Sequence, residues 1–355
     1  MADVDSVNRD FIKYDQVTKA HTYRLAESEA DEFDDEYDIA TLDFGPFLRG
    51  DANDRSRFAE AFAGALEEIG FAVLVGHGVD SALYDDMEEL TRELFTSLSI
   101  QDKMCFRAAR HGSVNQGYFP IEETSDIHPD LVEGWVWCRR AFGIPQRRDG
   151  PFRWGDFWPN PGFEHRARRL VLAHEQLFKP IAQAMLHGLG RDPHALDRQL
   201  TETNFGLRLN YYPSMSAEQD ASGAARLLGH EDVDLFTILP ASRMEGLQVW
   251  NHRTGKWVRM KAPRGSIIIN TGDYMQRITN DRLPSTTHRV GKPSDRSHTS
   301  LARVSFPVAV YVWEDEMLEV LPGLGAPKYE PIKAITFHTR STSKFYGDDY
   351  AVETA

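Results

Sequence analysis

His230 and Asp232 sit two apart in "HEDVDLFTILP", at the head of an apolar run. Residues two apart in a strand project to one face, so an imidazole and a carboxylate would point together at whatever lies beneath. A further imidazole, His288 in "STTHRV", opens a strand-like run 56 positions after Asp232, far enough for several strands to intervene. Two imidazoles and one carboxylate on one side of a divalent metal leave other coordination positions open, a donor set suited to iron(II) redox chemistry; zinc accepts the same donors. Fifteen positions beyond His288, Arg303 and Ser305 in "ARVSF" again share a face. A guanidinium carried into a strand interior is costly unless an anion meets it, and an arginine fork beside a hydroxyl matches a carboxylate. Asn210 and Tyr212 in "LNYYP" have the same spacing. Arg208 extends that face, where it meets an anionic substrate or closes a salt bridge at the rim of a barrel. The sequence thus offers metal donors on two segments and a carboxylate clamp on two more.

The elements that must position these groups follow from patterning. At 355 residues with 41% hydrophobic and 26% charged content, the chain has ample material for a core. A formal net charge of −14 opposes a nucleic-acid partner. Only Cys105 and Cys138 occur, which leaves no disulfide framework and no cysteine-rich zinc site and fits a reduced compartment. The first residues show no apolar signal region and no run is long enough to span a membrane, so a cytoplasmic protein without membrane contact is expected. The acidic block 27–38, "ESEADEFDDEYD", reads as a solvated arm.

Phe58, Phe62, Ala65, Leu66 and Ile69 recur at helical spacing before Gly70, and "SALYDDMEELTRELFTSL" has a similar rhythm. The stretch 107–160 is aromatic and irregular, and a helix with Leu170, Leu177, Ile181 and Met185 on one face follows. From "FGLRLNYYP" onward, short apolar runs separated by turns predict an antiparallel sandwich or barrel. That order gives a helical front built onto a β core. His77, His252 and His298 read as turn or loop residues, and Asn270, Gly272 and Asp273 as turn geometry.

Taken in order, "IATLDF", "EEIGFAVLVGHGV", "NYYP", "HEDVDLFTIL", "GLQVWNHRTGKWVRM", "IINTGDYMQRITNDRLPSTTHRV" and "RVS" resemble the isopenicillin N synthase-like branch of Fe(II)/2-oxoglutarate-dependent dioxygenases, over residues 39–345. The resemblance implies a mainly β fold with α, a distorted double-stranded β-helix (jelly roll) flanked by N-terminal and central helices. It divides the chain into an arm (1–38), a helical and aromatic region (39–204), the jelly-roll core (205–312) and a C-terminal segment packed on it (313–355). It implies His230, Asp232 and His288 as ligands of Fe(2+), with no catalytic side chain beyond the metal centre. Arg303 and Ser305 would bind the distal carboxylate of 2-oxoglutarate with help from Tyr212, and Asn210 would lie near both metal and cosubstrate. O2 and a small-molecule substrate complete the reaction, which hydroxylates, desaturates or cyclises the substrate and releases succinate and CO2. The alternative is an iron oxidase of the same fold that uses no 2-oxoglutarate; oxidases of this branch lack an asparagine where Asn210 stands. Members draw substrate contacts from the aromatic segment, which nominates Gln116, Tyr118, Phe119, Trp135 and Trp137 as its wall, with Arg208 beside them. The link between His288 and Arg303 is longer and more polar than in the plant members.

Overall fold

The computed structural model describes residue 27 and residues 31–111, 114–121, 131–147, 152–215, 226–293, 298 and 300–346; most of the expected arm lies outside them. Helix α1 (Ala52–Ile69) is capped by Asp51, whose side chain accepts from the Asp54 amide, and it ends at Gly70 in the left-handed region (φ 73°). Its buried stripe includes Phe58, Phe62, Leu66 and Ile69. Helix α2 (Ser81–Ser97) and the long α3 (Pro161–Gly188) bury matching stripes, with Leu170, Leu177, Ile181 and Met185 inside as the periodicity predicts.

Strands β1 (Thr41–Asp43), β2 (Phe71–Val75), β3 (Ala109–His111), β4 (Val114–Phe119), β5 (Glu133–Cys138) and β6 (Phe205–Tyr212) come first. After them run β7 (Leu227–His230), β8 (Phe236–Pro240), β9 (Leu247–Asn251), β10 (Lys256–Arg259), β11 (Ile267–Thr271), β12 (His288–Val290), β13 (Arg303–Ser305) and β14 (Val308–Val310). A ten-stranded sheet has the order β1-β2-β11-β8-β14-β6-β5-β4-β3, with β13 also on β6. A four-stranded sheet runs β10-β9-β12-β7. Apart from the parallel β1–β2 pair, the pairings within these sheets are antiparallel.

This is the mainly β jelly-roll class that the sequence leads one to expect, with helices outside. The front half is more than a helical cap, however. β2 is hydrogen-bonded to β11 and β5 to β6, so the N-terminal strands widen the large sheet and no seam falls at 204/205. Such long-range pairings leave no local mark on sequence, which is why they escape a pattern reading.

Strand alternation sorts the large sheet into two faces. Leu74, Trp135, Trp137, Leu207, Leu209, Phe236, Ile238, Ile267 and Ile269 belong to one apolar core with the helices. Phe71, Val73 and Ile268 face the other way and pack with Leu247, Val249 and Val258 of the small sheet. Strands buried on both faces read as unbroken apolar runs, as "FAVLV" and the three isoleucines that open "IIINT" do.

The acidic block is not a solvated arm where it is described. Phe33 forms a bridge with Trp257, and the Asp34 amide donates to the Trp257 carbonyl (2.9 Å). Arg259 lies 3.6 Å over the Phe33 ring and pairs with Asp35, while Lys256 and Lys261 meet Glu32 and Asp38. Two aromatic residues inside the acidic run, Phe33 on the basic strand and Tyr37 against the small-sheet cluster, seat it together with these ion pairs. Among the described residues no helix is long and apolar enough to cross a membrane.

Candidate active site

β7 and β12 are paired so that His230 and His288 stand directly opposite each other. Their rings are 4.4 Å apart, centroid to centroid. Asp232 lies in the turn that follows β7, so the convergence comes from strand pairing plus a turn rather than from alternation along one strand. Asp232 Oδ1 is 3.6 Å from His230 Nε2 and 3.7 Å from His288 Nε2, and one donor atom from each residue lies within 4.8 Å of the others.

The surroundings fix which atoms face inward. His230 Nδ1 is 2.9 Å from the Leu228 carbonyl and His288 Nδ1 is 3.1 Å from the Thr286 carbonyl. Carbonyls only accept, so each Nδ1 carries the proton and each Nε2 offers a lone pair, as metal-ligating histidines do. Burial, together with the neighbouring His288, lowers the pKa of His230 to about 4, which keeps its ring neutral. Burial works against ionisation of Asp232, yet the two imidazoles and hydrogen bonds from Thr237 and Asn270 hold it below the ordinary carboxylate value. Asp232 Oδ2 is 2.6 Å from Thr237 Oγ1 and accepts from Asn270 Nδ2 at 2.8 Å. Thr237 Oγ1 is also 2.7 Å from Asp234 Oδ2. A hydroxyl has one proton to give. Burial and the adjacent charge of Asp232 push the Asp234 carboxyl well above its ordinary value, so Asp234 donates to Thr237 and Thr237 donates to Asp232. Asn270, expected to be turn geometry, is thus a strand residue that orients Asp232. These donors fit a divalent metal bound by two imidazoles and a carboxylate.

The large sheet supplies the second half of the site. In the β13–β6 register Arg303 stands opposite Tyr212, and Ser305 opposite Asn210. Arg303 is buried, its guanidinium carbon 5.0 Å from the centre of the Tyr212 ring, and its Nη1 has no hydrogen-bond partner. Among the described residues no carboxylate lies within ion-pair distance of it. A buried, unpaired guanidinium is costly, and an incoming carboxylate relieves that cost. Asn210 Nδ2 donates to Ser305 Oγ (3.3 Å), and Arg208 Nε donates to Asn210 Oδ1 (2.8 Å). Arg226, not nominated from sequence, is a second buried guanidinium close enough for the charge of Arg303 to lower its pKa, after the larger effect of burial.

Donors and clamp open into one cavity of about 250 Å³ between the sheets. It runs on to Asn115, Phe119, Val136 and Arg208, and to Tyr311, His338 and Thr342. Sequence reasoning misses His338 and Thr342, spaced i, i+4 on helix α4 (Ala334–Tyr346); only that polar pair in an otherwise ordinary C-terminal helix hints at them. Of the nominated wall residues, Phe119 and Arg208 line the cavity, with the guanidinium carbon 5.8 Å from the Phe119 ring centre. Gln116, Tyr118, Trp135 and Trp137 are placed elsewhere. Gln116 Oε1 accepts from the Cys138 amide, Tyr118 donates to Glu133, and Trp135 and Trp137 stack in line with Trp158. These four occupy the opposite parity in β4 and β5 and belong to the structural core.

Sequence comparison agrees with this geometry. The model of the 2OG-Fe(II) oxygenase superfamily matches residues 203–310, and the N-terminal model of the non-haem dioxygenase in morphine synthesis matches 39–161. The 2-oxoglutarate-Fe(II) type oxidoreductase ppzD of Metarhizium rileyi is 26% identical over 337 residues, 88% of this chain and 92% of that one. Feruloyl CoA ortho-hydroxylase 2 of Arabidopsis thaliana is 27% identical over 288 residues, covering 79% and 74%. A full-length Neurospora crassa protein, solved in complex with alpha-KG and thymine, shares the fold at a TM-score of 0.75 and 22% identity, over 90% of this chain and all of that one. The chain belongs to the 2OG-Fe(II) oxygenase superfamily. Within it, this protein is an Fe(II)- and 2-oxoglutarate-dependent dioxygenase that uses O2 and acts on a small molecule; the oxidase alternative is not favoured.

Proposed function

We propose that His230, Asp232 and His288 hold the iron(II), that Arg303 with Ser305 and Tyr212 binds the distal carboxylate of 2-oxoglutarate, and that Asn210 lies beside the cosubstrate. The observation that carries this reading is one cavity holding both the three convergent donors and the unpartnered Nη1 of Arg303. Bound iron(II) supplies the redox chemistry by which O2 converts 2-oxoglutarate to succinate and CO2 and oxidises a substrate C–H bond.

The chain's own groups orient and exclude. Arg303 sets which end of the keto acid points away from the donors. Asn210 ties Arg208 to Ser305, so cosubstrate and substrate ends share one hydrogen-bonded line. At the far end Phe119 and Val136 offer apolar contact and Arg208 a positive charge, which suits a small substrate carrying an apolar body and an anionic group. Hydroxylation, desaturation and ring closure are all within this site's reach, the choice resting on where the substrate carbon is held. The order of the motifs supports a place in the isopenicillin N synthase-like branch, and the free Cys105 and Cys138 support a cytoplasmic setting.

The test is direct. Purified protein given Fe(II), O2 and 2-oxoglutarate should form succinate, and His288→Ala should lose metal binding while keeping its thermal unfolding transition. Metal retained by His288→Ala with wild-type affinity, or tight metal binding without succinate from any of a broad substrate panel, defeats the reading.

A further inference from the structure

One row of cavity-lining residues crosses four strands: Gly206 of β6 faces Ala309 of β14, Ala309 faces Thr237 of β8, and Thr237 faces Asn270 of β11. Thr237 and Asn270 hold Asp232. The other two present only a hydrogen and a methyl group, so half of the row is nearly bare sheet. Neighbouring strands lie about 4.8 Å apart, which puts this bare half directly beside the metal donors. It is also narrow. A Cβ built on Gly206 would stand 3.5 Å from Cε2 of Tyr311 and 3.7 Å from Cγ1 of Val136. Both are ordinary contact distances, so the space between phenol ring and valine methyl takes one layer of atoms and no second. Neither wall is loose. Val136 belongs to β5, which is paired with β6 along its whole length. The Tyr311 ring meets Tyr274 and His338 edge to face, at 6.3 and 5.5 Å between ring centres, and its amide donates to the Asn204 carbonyl at 3.1 Å. Arg208 lies two residues beyond Gly206 on the same face of β6, about 7 Å along the strand.

We infer that Gly206 is a specificity-determining residue: with Tyr311 and Val136 it forms a slot that admits a flat, unsaturated ring and turns away a puckered one. This deepens the function proposed above, on which it rests, by naming the substrate class: an aromatic or heteroaromatic acid with a short arm between ring and carboxylate. A flat ring is one atom thick, and both of its faces gain contact when it enters edge first, one of them with the phenol. A saturated ring puckers and carries hydrogens above and below its mean plane, so it cannot touch both walls without forcing them apart. The carboxylate reaches Arg208 along β6. The opposite edge of the ring crosses Ala309 toward Asp232, which decides the C–H bond presented at the metal centre.

The experiment uses the full chain loaded with Zn(II), which accepts the same donors without redox chemistry, and with 2-oxoglutarate. Two pairs of probes that differ only in the flatness of the ring are titrated by ligand-observed NMR: phenylacetate with cyclohexylacetate, and 3-phenylpropanoate with 3-cyclohexylpropanoate. Wild type should bind the flat member of at least one pair roughly tenfold or more tightly than its saturated twin. Gly206→Ala places a methyl group in the slot at ordinary contact distance from its neighbours, so the fold accepts it. It should weaken the flat acid roughly tenfold while Zn(II) and 2-oxoglutarate affinities stay near wild type. Val136→Ala widens the slot and should shift the preference toward the saturated acid, a gain that general loss of packing does not produce. Equal binding of flat and saturated acids by wild type, or binding of neither, overturns the inference. So does a Gly206→Ala protein that binds the flat acid as wild type does, or that loses Zn(II) and 2-oxoglutarate equally. Should Gly206→Ala not fold, Val136→Ala and the wild-type preference decide alone. A wild-type chain that binds neither Zn(II) nor 2-oxoglutarate overturns the proposed function itself; with both bound, a missing preference counts against the slot alone.

Discussion

On one face of the ten-stranded sheet, Tyr118, Trp135, Trp137, Leu207 and Leu209 meet the helices. On the other, Phe119, Val136, Arg208, Asn210 and Tyr212 meet the cavity. The two sets interleave residue by residue along the same three strands, in the registers Tyr118↔Trp135↔Leu209 and Phe119↔Gly134↔Asn210. The comparison separates two jobs that share a backbone. The helix face holds the strands at fixed spacing through stacked indoles and aliphatic contact, and the cavity face spends that rigidity on a guanidinium and amides that are costly to bury. A cosubstrate clamp can contain an unpaired Arg303 because a close-packed layer behind it does not give way.

The largest effects should therefore split cleanly between faces. Trp137→Ala removes a fully buried indole that stacks on Trp158 at 4.1 Å and donates to the Phe157 carbonyl. It should lower unfolding free energy by about 3–5 kcal/mol with the KM for 2-oxoglutarate little changed in the protein that remains folded. Arg303→Met should do the reverse. Losing a buried charge partner costs about 2–5 kcal/mol of binding, at least roughly thirtyfold in that KM, while the thermal midpoint holds or rises because an unpaired buried charge is gone. Urea unfolding and steady-state kinetics on both variants measure the split. An Arg303→Met protein that unfolds earlier yet keeps its KM would break the comparison.

How far the sequence can be read follows from the same two faces. Donor chemistry is rare and local, so His230, Asp232, His288 and the pair Arg303 and Ser305 stand out from their types and spacing, and the structure brings each group together. Parity is legible too, and it forbids part of the expected wall. Tyr118 and Phe119 are neighbours in a strand and cannot both face the cavity, so a wall that includes both has one of them misplaced. With no sharp boundary to β4 in an aromatic stretch, the phase of the alternation is open in sequence, and only its pairing with β5 and β6 sets it. Other features have no local signature. His338 and Thr342 reach the cavity from the far end of the chain, β2 joins the sheet through β11, and Asp31 finds Arg289 across 258 positions. The acidic block misleads because its charge dominates its composition while Phe33, Tyr37 and the buried Asp31–Arg289 pair decide its placement.

The layer behind the clamp carries a pH dependence of its own. His174 of α3 is fully buried, bonded through Nε2 to Tyr84 Oη at 3.3 Å, and its Nδ1 has no partner. Burial, with a small contribution from His77, lowers its pKa to about 3 from the ordinary 6.5. The unfolded chain accepts a proton near pH 6.5 and the folded one does not until near pH 3, so stability falls as pH drops through that window. By pH 5 this one group should remove roughly 2 kcal/mol. His174→Gln, neutral throughout and able to reach Tyr84, should flatten that part of the profile relative to wild type, as measured by urea unfolding from pH 7 to 4.5. An unchanged slope would mean that the helix face is wetter than its packing indicates.

The smallest effect tests the cavity face at its most indirect point. Thr237 touches neither end of the cosubstrate in our assignment; it donates to Asp232 and accepts from Asp234. Thr237→Val conserves shape and removes the hydroxyl, so both carboxyls lose a partner together and the fold keeps its packing. Outer-sphere losses of this kind weaken metal binding by roughly 10–100-fold, and the lower figure is expected because Asn270 still holds Asp232 Oδ2. Combining it with Asn270→Ala should cost more than the two single changes added, since Asp232 then has no side chain fixing its rotation. Strict additivity in a double-mutant cycle on Fe(II) affinity would show that the aspartate is oriented by its backbone turn, and that the cavity face needs less support from its neighbours than the helix face does.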